Sequence, residues 1–413
     1  MSGSAFAVTH HAFSSGAGRT SDGNGSHAST LKSPSYTKSV SWQHYRVSHR
    51  LIKKTSNKLL VFFSGTDKKD GRFDFWKSAD ELPYNILLIN NGKNEWYQDS
   101  IPGFSSSISE TIEKIKYISE QLGCDEIITI GVSMGGYAAS LFGALLDCRV
   151  LAFSFDTVLK YPLSRSAKRI PKKTKIIYKN LRPIIKNSKC RITALSGEMD
   201  FPDLLSLSRI SDLKNVKAYS VRGVTHGVGR FIDKRYGMPN IITFFVENNT
   251  LPEIKEINNL CHNKILSKNI FLSYQAFVNK DFSTAQSLIR EALLAEPLLE
   301  PAIFISALVN MELKNYTLAV EQFAFVAGIS PHFTTAKYNL AKSLRMSKKY
   351  DQAIQHFYEY ISLMPSSAGS YYNLSLIYER KGLLEDAKKM AQMAYSLSPE
   401  SETYKKRYET YFS

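Results

Sequence analysis

Proline recurs at Pro297, Pro331, Pro365 and Pro399, each step 34 residues long. Alanine recurs with the same period at Ala285, Ala319, Ala353 and Ala387, always 12 residues ahead of the proline. Two registers with one period restrict the fold severely. A small residue lets two helices cross closely, and a proline ends the second helix because it cannot extend the hydrogen-bond ladder. A unit of this length holds two helices and buries its apolar face only by stacking on the next unit.

Over residues 266–401 the pattern resembles the tetratricopeptide repeat family. Leu272, Leu340 and Leu374 occupy the leucine position of the repeat, and Ser306 departs from it. Phe323 and Phe357 fit the aromatic position of the second helix, where Ile289 and Ala391 depart. The segment "SETYKKRYETYFS" (401–413) has the polarity of a capping helix. The resemblance implies an all-α solenoid of four repeats and a cap over residues 266–413. Such a solenoid offers a concave surface to a peptide or protein partner. The same surface can instead self-associate or pack against the rest of the chain.

The residues ahead of the repeats have a different texture. Short apolar runs at 57–65, 84–90, 125–133, 148–154, 190–197 and 216–223 read as strands. Helical patterns lie at 107–123, 135–146 and within 230–248. This alternation predicts an α/β domain over residues 41–248 with a mostly parallel sheet covered on both faces. Residues 249–265 read as a linker. Residues 1–40, rich in Ser, Gly, Thr and His, read as a disordered tail.

Gly131-Val132-Ser133-Met134-Gly135 is a G-x-S-x-G match. By chance such a match turns up about once in seven chains of this length. Its context carries more weight, because "EIITI" precedes it as a strand and "GGYAASLFGALL" follows it as a helix. A serine hydroxyl needs a base to become a nucleophile, and the base needs an acid to orient it. His226, in "SVRGVTHGVGR", lies between the last strand and the last helix of the domain. Six carboxylates separate Ser133 from His226, and Asp200 in "ALSGEMDFPD" is the chosen acid. Asp203 and Glu198 rival it on the same loop, and Asp156 is an outsider. Asp147 and Asp212 read as solvated helix-end charges.

The tetrahedral oxyanion needs two preset N–H donors. Met134 is expected to supply one. Thr66, in "VFFSGTDKKDG", is expected to supply the other, with Gly65 the next choice. Trp96 and Tyr97, in "NNGKNEWYQDSIPG", either line an acyl or sugar pocket or pack under the sheet. Together, residues 58–248 resemble the α/β-hydrolase family. The early strands are few for that family. Ser64-Gly65-Thr66 stands where a His-Gly-Gly-Gly oxyanion motif is common.

The formal net charge is +16. Much of it lies in 160–191, which holds twelve Lys or Arg and no acid. This basic insertion reads either as a cationic rim for an anionic substrate or as a solvated cap. It carries no nucleic-acid motif and no interleaved aromatic platform, which argues against nucleic acid. Ile176, Ile177, Leu181, Ile184 and Ile185 offer an apolar face for peripheral contact with anionic lipid. Cys124, Cys148, Cys190 and Cys261 are too dispersed for a metal or disulfide framework. No signal-like or membrane-spanning run stands out, so the expected location is the cytoplasm.

The resemblance implies a serine esterase or O-acyltransferase acting on an acylated or anionic glycan, a role this fold fills in bacterial polysaccharide modification. It implies no bound cofactor and no metal, with acetyl-CoA or another acyl-CoA as an acyl donor. The alternatives are an acyl thioesterase and a repeat-based interaction scaffold whose hydrolase domain is weak or inactive.

Overall fold

In β2 (Lys58–Phe63) the side chains alternate strictly. Leu59, Val61 and Phe63 enter one core, and Leu60 and Phe62 enter another. Such a strand is buried on both faces, which an alternating β/α chain achieves by laying helices on both sides of a parallel sheet. The structure is a computed structural model and describes residues 47–412. The predicted tail, residues 1–40, lies outside the described residues.

The sheet has eight strands in the order β1-β3-β2-β4-β5-β6-β7-β8. Besides β2, these are β1 (His49–Ile52), β3 (Asn85–Ile89), β4 (Glu126–Val132), β5 (Arg149–Phe153), β6 (Arg191–Gly197), β7 (Val216–Val221) and β8 (Ile257–Asn258). The six central strands are parallel, and β1 and β8 join the two edges antiparallel. The sheet is therefore mixed. Chain order reverses between β2 and β4, because β3 lies on the far side of β2. A crevice at the carboxyl ends of strands at such a reversal is where open α/β sheets place ligands.

Helices α1 (Trp76–Glu81), α7 (Val228–Tyr236) and α8 (Met238–Asn248) supply the core on the Leu60 face. Helices α2 (Ile108–Gln121), α3 (Met134–Leu145), α5 (Leu181–Lys186) and α6 (Phe201–Ser208) supply the core on the Leu59 face. The short α4 (Arg165–Arg169) stands in the basic insertion.

The repeats follow as four helix pairs: α9 (Lys264–Val278) with α10 (Phe282–Ala295), α11 (Glu300–Glu312) with α12 (Tyr316–Ile329), α13 (Thr334–Met346) with α14 (Tyr350–Leu363), and α15 (Ala368–Arg380) with α16 (Leu384–Leu397). A last helix, α17 (Glu402–Phe412), caps the stack with no residue fully buried. All four periodic alanines are 0% exposed. Each periodic proline stands two residues past the end of its helix.

A third register shares the 34-residue period, and the structure shows what it does. The turn inside each pair places one residue in the left-handed region: Lys280 (φ 60°), Lys314 (φ 64°), Lys348 (φ 62°) and Gly382 (φ 76°). Only the last of these is a glycine, and lysine as a residue type does not announce such a backbone.

The supposed linker at 249–265 is part of the fold. Within it β8 pairs with β7, Ser220 with Asn258 and Val221 with Ile257. Strand β1 and helices α1 and α6 also escaped sequence reading. Each is short, and the edge strands are fixed by partners rather than by an apolar run. The Leu59-face core continues without a break through Leu260, Leu266 and Ile270 into the repeats. Phe201 of α6 meets Tyr274 of α9 edge-on at 4.8 Å, and Ser211 Oγ donates to Cys261 O at 3.0 Å. Farther along, His332 Nε2 lies 3.0 Å from Arg222 O.

Two substitutions test the repeat architecture by urea denaturation. Ala353→Leu should lower stability by about 2 kcal/mol, because no room exists at the helix crossing. Lys348→Gly should raise it by about 1 kcal/mol by relieving the left-handed backbone.

Candidate functional site

Ser133 is the single residue between the end of β4 and the start of α3. Its backbone is held at φ 59°, ψ −123°, a conformation that costs a non-glycine residue on the order of 1–3 kcal/mol. The neighbours impose it. A methyl group on Gly131 would lie 2.0 Å from Gly135 O, and one on Gly135 would lie 1.9 Å from Phe63 O. One on Gly136 would lie 2.9 Å from Phe153 O. The glycines of the motif are thus required by backbone contact among β2, β4, β5 and α3. The Ser133 N–H donates to Phe153 O at 2.9 Å, which ties the turn to the end of β5.

Ser133 and His226 line one cleft of about 830 Å³ at the carboxyl ends of β2 and β4, together with Gly65 and Thr66. Among the described residues the Ser133 hydroxyl has no hydrogen-bond partner. His226 comes from the loop between β7 and α7.

The carboxylate on His226 is Asp203, not Asp200. Asp203 Oδ2 lies 2.6 Å from His226 Nδ1, which leaves Nε2 as the free ring nitrogen. Asp203 is 1% exposed. Asp200 instead caps α6, where its Oδ1 accepts from the Asp203 N–H at 3.3 Å. Its Oδ2 meets Arg165 at 3.4 Å. The sequence held a sign of this division. Asp-Phe-Pro-Asp, with a cap residue and an acid three positions later, is how a helix begins. Reading α6 would have placed Asp200 at the cap and Asp203 in the first turn.

Burial works against the imidazolium of His226. The charge of Asp203 and its hydrogen bond, with Asp200 behind them, outweigh it, so His226 titrates above its ordinary value. Burial, then the charge of Asp203, pushes the Asp200 carboxyl up to about 6. Asp156 is 3% exposed and is pushed up to about 6 by the same two causes in the same order. It accepts from the Ser166 N–H at 2.8 Å.

The other carboxylates lie elsewhere. Glu198 accepts from Ser220 Oγ at 2.7 Å. Asp147 accepts from the Lys189 N–H at 2.7 Å. Asp212 is not simply solvated, since Arg182 at 2.6 Å and Lys264 at 2.8 Å pair with it.

Asp200, Asp203 and His226 put ligand-type atoms within 4.8 Å of one another. A metal ion held there would have to compete with Arg165 and break the 2.6 Å contact between acid and imidazole.

The loop after β2 stands against Ser133. A methyl on Gly65 would lie 3.7 Å from Ser133 Cβ. Asp74 fastens this loop: its Oδ2 accepts from the Gly65 N–H at 2.8 Å, and Lys68 pairs with its Oδ1 at 2.6 Å. The Gly65 N–H is therefore occupied. Among the described residues the backbone N–H groups of Thr66 and Met134 have no acceptor.

Of the two readings of Trp96 and Tyr97, packing under the sheet is the one the structure has. Trp96 and Tyr97 are each 1% exposed and belong to the core. The Tyr97 hydroxyl donates to Ser64 O at 2.9 Å, so it supports the β2 loop from beneath instead of lining a pocket. The basic insertion is not a free lid or a membrane face. Gln98 Oε1 accepts from the N–H groups of Ile177 (2.9 Å) and Tyr178 (2.8 Å), and the Tyr137 hydroxyl donates to Tyr178 O. Leu181 and Ile185 are 0% exposed, and Ile176 and Ile184 pack on the core, which leaves only Ile177 of the five exposed. What the insertion brings to the cleft is Arg165 at the start of α4. No described helix is long and apolar enough to cross a membrane.

Comparison with known proteins speaks to the repeats. A family model described as a tetratricopeptide repeat matches residues 368–401. No curated protein matches the chain. Among solved structures, a MamA RS-1 double mutant is 22% identical, with 36% of this chain and 83% of that chain covered and a TM-score of 0.33. MamA 41-end from Desulfovibrio magneticus RS-1 is also 22% identical, covering 36% and 89%, with a TM-score of 0.33. YrrB, described as a TPR protein with an unusual peptide-binding site, is 17% identical, covering 36% and 77%, again at 0.33. Residues 368–401 are thus matched to a tetratricopeptide repeat, within a helical solenoid that runs from Lys264 to Phe412.

The elbow predicts its own energetics. Ser133→Gly should raise unfolding free energy by about 1 kcal/mol, because it relaxes the strained turn. Gly135→Ala should cost about 3 kcal/mol, because the methyl collides with backbone that cannot retreat. Chemical denaturation of both variants checks the pair.

Proposed function

We propose that this chain is a tetratricopeptide scaffold that carries a serine acyl-transfer centre, an esterase or O-acyltransferase of α/β-hydrolase type. The scaffold half of the reading has the support of the family match. The chemical half rests on geometry. A serine held in a strained turn lines the same cleft as a histidine bonded to a buried carboxylate. The observation that carries it is the 2.6 Å contact from Asp203 to His226 Nδ1 beside that serine.

In this reading Ser133 Oγ attacks an acyl carbonyl and His226 Nε2 takes its proton. Asp203 holds the imidazolium that forms. The carbonyl oxygen becomes an oxyanion against the Thr66 and Met134 N–H groups. His226 then returns the proton to the leaving group. Water or a hydroxyl acceptor releases the acyl group from Ser133 by the same steps in reverse.

Lys68, Lys77, Arg165 and Arg230 stand on the walls of the cleft. Its two acids are engaged within the fold: Asp74 holds the β2 loop, and Asp233 accepts from the Met238 N–H at 2.9 Å. The cleft therefore suits an anionic leaving group or acceptor, such as an acidic glycan or the phosphate-bearing carrier of a thioester.

A second reading keeps the repeats as an interaction scaffold and gives the sheet half no turnover. The comparisons, which speak to the repeats, favour this reading. Labelling with a fluorophosphonate probe separates the two. The first reading expects Ser133→Ala and His226→Ala to abolish labelling. It expects Asp203→Asn to slow labelling at least about 100-fold and Asp200→Asn less than about 10-fold. Wild-type protein that labels no faster than Ser133→Ala would leave only the scaffold.

The pH profile gives an independent check. His226 must be neutral to accept a proton, and its titration lies above 6.5, the ordinary histidine value. The labelling rate should therefore rise with pH through a midpoint above 6.5. Asp203→Asn removes the charge that raises it, so the residual reaction should show a lower midpoint.

A further inference from the structure

A second cavity, of about 530 Å³, lies where the sheet half meets the repeats. It shares Arg165 and Thr225 with the cleft that holds Ser133 and His226, so the two spaces adjoin. Its far wall is built by the repeats, with Tyr274, Phe277, Phe304, Leu308 and Phe333. Met199 and Phe201 of the sheet half complete an apolar lining.

The charged groups of the lining stand on one side, and Thr225, Thr335 and Asn339 add neutral polar groups on both. Arg165, Lys168 and Arg169 belong to α4, on the side of the sheet half, and the one acid of the lining, Asp200, is paired with Arg165. Arg165 also keeps a buried Nε with no acceptor. The carboxamide of the lining, Asn339, spends a donor on Thr335 O of its own helix at 3.0 Å. On the repeat wall, polar partners for an extended peptide are confined to Thr335 and the rest of the Asn339 carboxamide. A hydrocarbon chain needs none, and an acidic group at its head would meet Arg165 at the junction.

We propose that the repeats form the acyl-chain pocket of the site, taking a saturated chain of about ten carbons whose carbonyl head lies past Arg165 beside Ser133. This inference rests on the acyl-transfer reading for the chemistry at the head, but binding of the chain can be read without turnover. The substrate class is then an apolar acyl ester or thioester of an anionic carrier. The solenoid serves as one wall of the site, and its groove is turned inward.

The test uses the full chain with Ser133→Ala, titrated calorimetrically with decanoate, hexanoate and decanol. The expected result is one decanoate bound per chain. Hexanoate and decanol should each bind at least tenfold more weakly, the first for lost apolar contact and the second for lost charge. Leu308→Trp fills the cavity and should weaken decanoate at least tenfold. Thr335→Trp narrows it from an exposed position, so it tests the same claim should Leu308→Trp fail to fold.

In the chain with Ser133 intact, p-nitrophenyl decanoate should be turned over with higher kcat/KM than the acetate. Leu308→Trp or Thr335→Trp should erase that preference by lowering kcat/KM for the decanoate ester. Absent decanoate binding, or binding that neither variant weakens, overturns the pocket even if Ser133 proves reactive. Decanoate binding lost in both variants, with Ser133 inert to the fluorophosphonate, upholds the pocket and overturns the chemistry instead.

Discussion

The contact of Gly135 with Phe63 O governs the arrangement of the candidate site. At this point helix α3 comes so close to β2 that no side chain fits between them. The same turn brings Gly131 against Gly135 and fixes Ser133 in a conformation that a free chain rarely adopts. Strain of this kind persists only where surrounding structure over-determines it. Here the surroundings are three parallel strands and the helix between them, all held by ladders that cannot shift by an ångström without breaking. The loop after β2 is thereby carried up against Ser133, and Asp74 fastens it there.

A second dependence runs across the junction with the repeats. Helix α6 carries Asp203 on its first turn and packs its own apolar face against α9. The carboxylate that holds His226 is therefore positioned by an element wedged between the sheet and the solenoid. Deleting the repeats would expose Phe201 and loosen the helix that orients the acid. The core is continuous across the junction through Leu260, Leu266 and Ile270. The cationic insertion is fixed in place too, because Gln98 and Tyr137 bind its middle to the sheet half and only α4 reaches the cleft.

Legibility in the sequence followed the range of the interactions. The repeat period, the alternating strands and the serine turn are set by residues within a few tens of positions, and all were readable. Arg165 was not, because its role depends on α4 lying beside Asp200 and the cleft. Trp96 and Tyr97 could be read as pocket residues or as core, since aromatic side chains on a loop at a strand end serve as either. The loop folds under, and Tyr97 satisfies its hydroxyl on Ser64 O and Ile89 O. The lysines at 280, 314 and 348 keep the 34-residue period, but lysine as a residue type does not announce a left-handed backbone.

The sequence by itself determined the two architectures, the glycine-serine turn, the candidate base His226 and the concentration of positive charge, because each is a local pattern with a local physical cause. The capping pattern of α6 was legible, but the contact that gives Asp203 to the histidine exists only in the tertiary structure. Asp200 and Asp203 are three residues apart, and one turn of helix sends one to the cap and Arg165, the other to His226. Tertiary structure also decided which repeat residues lie beside the site. A solenoid shows its period in sequence, but which surface is covered depends on where α6 and α9 meet, and that is a contact between residues some seventy positions apart.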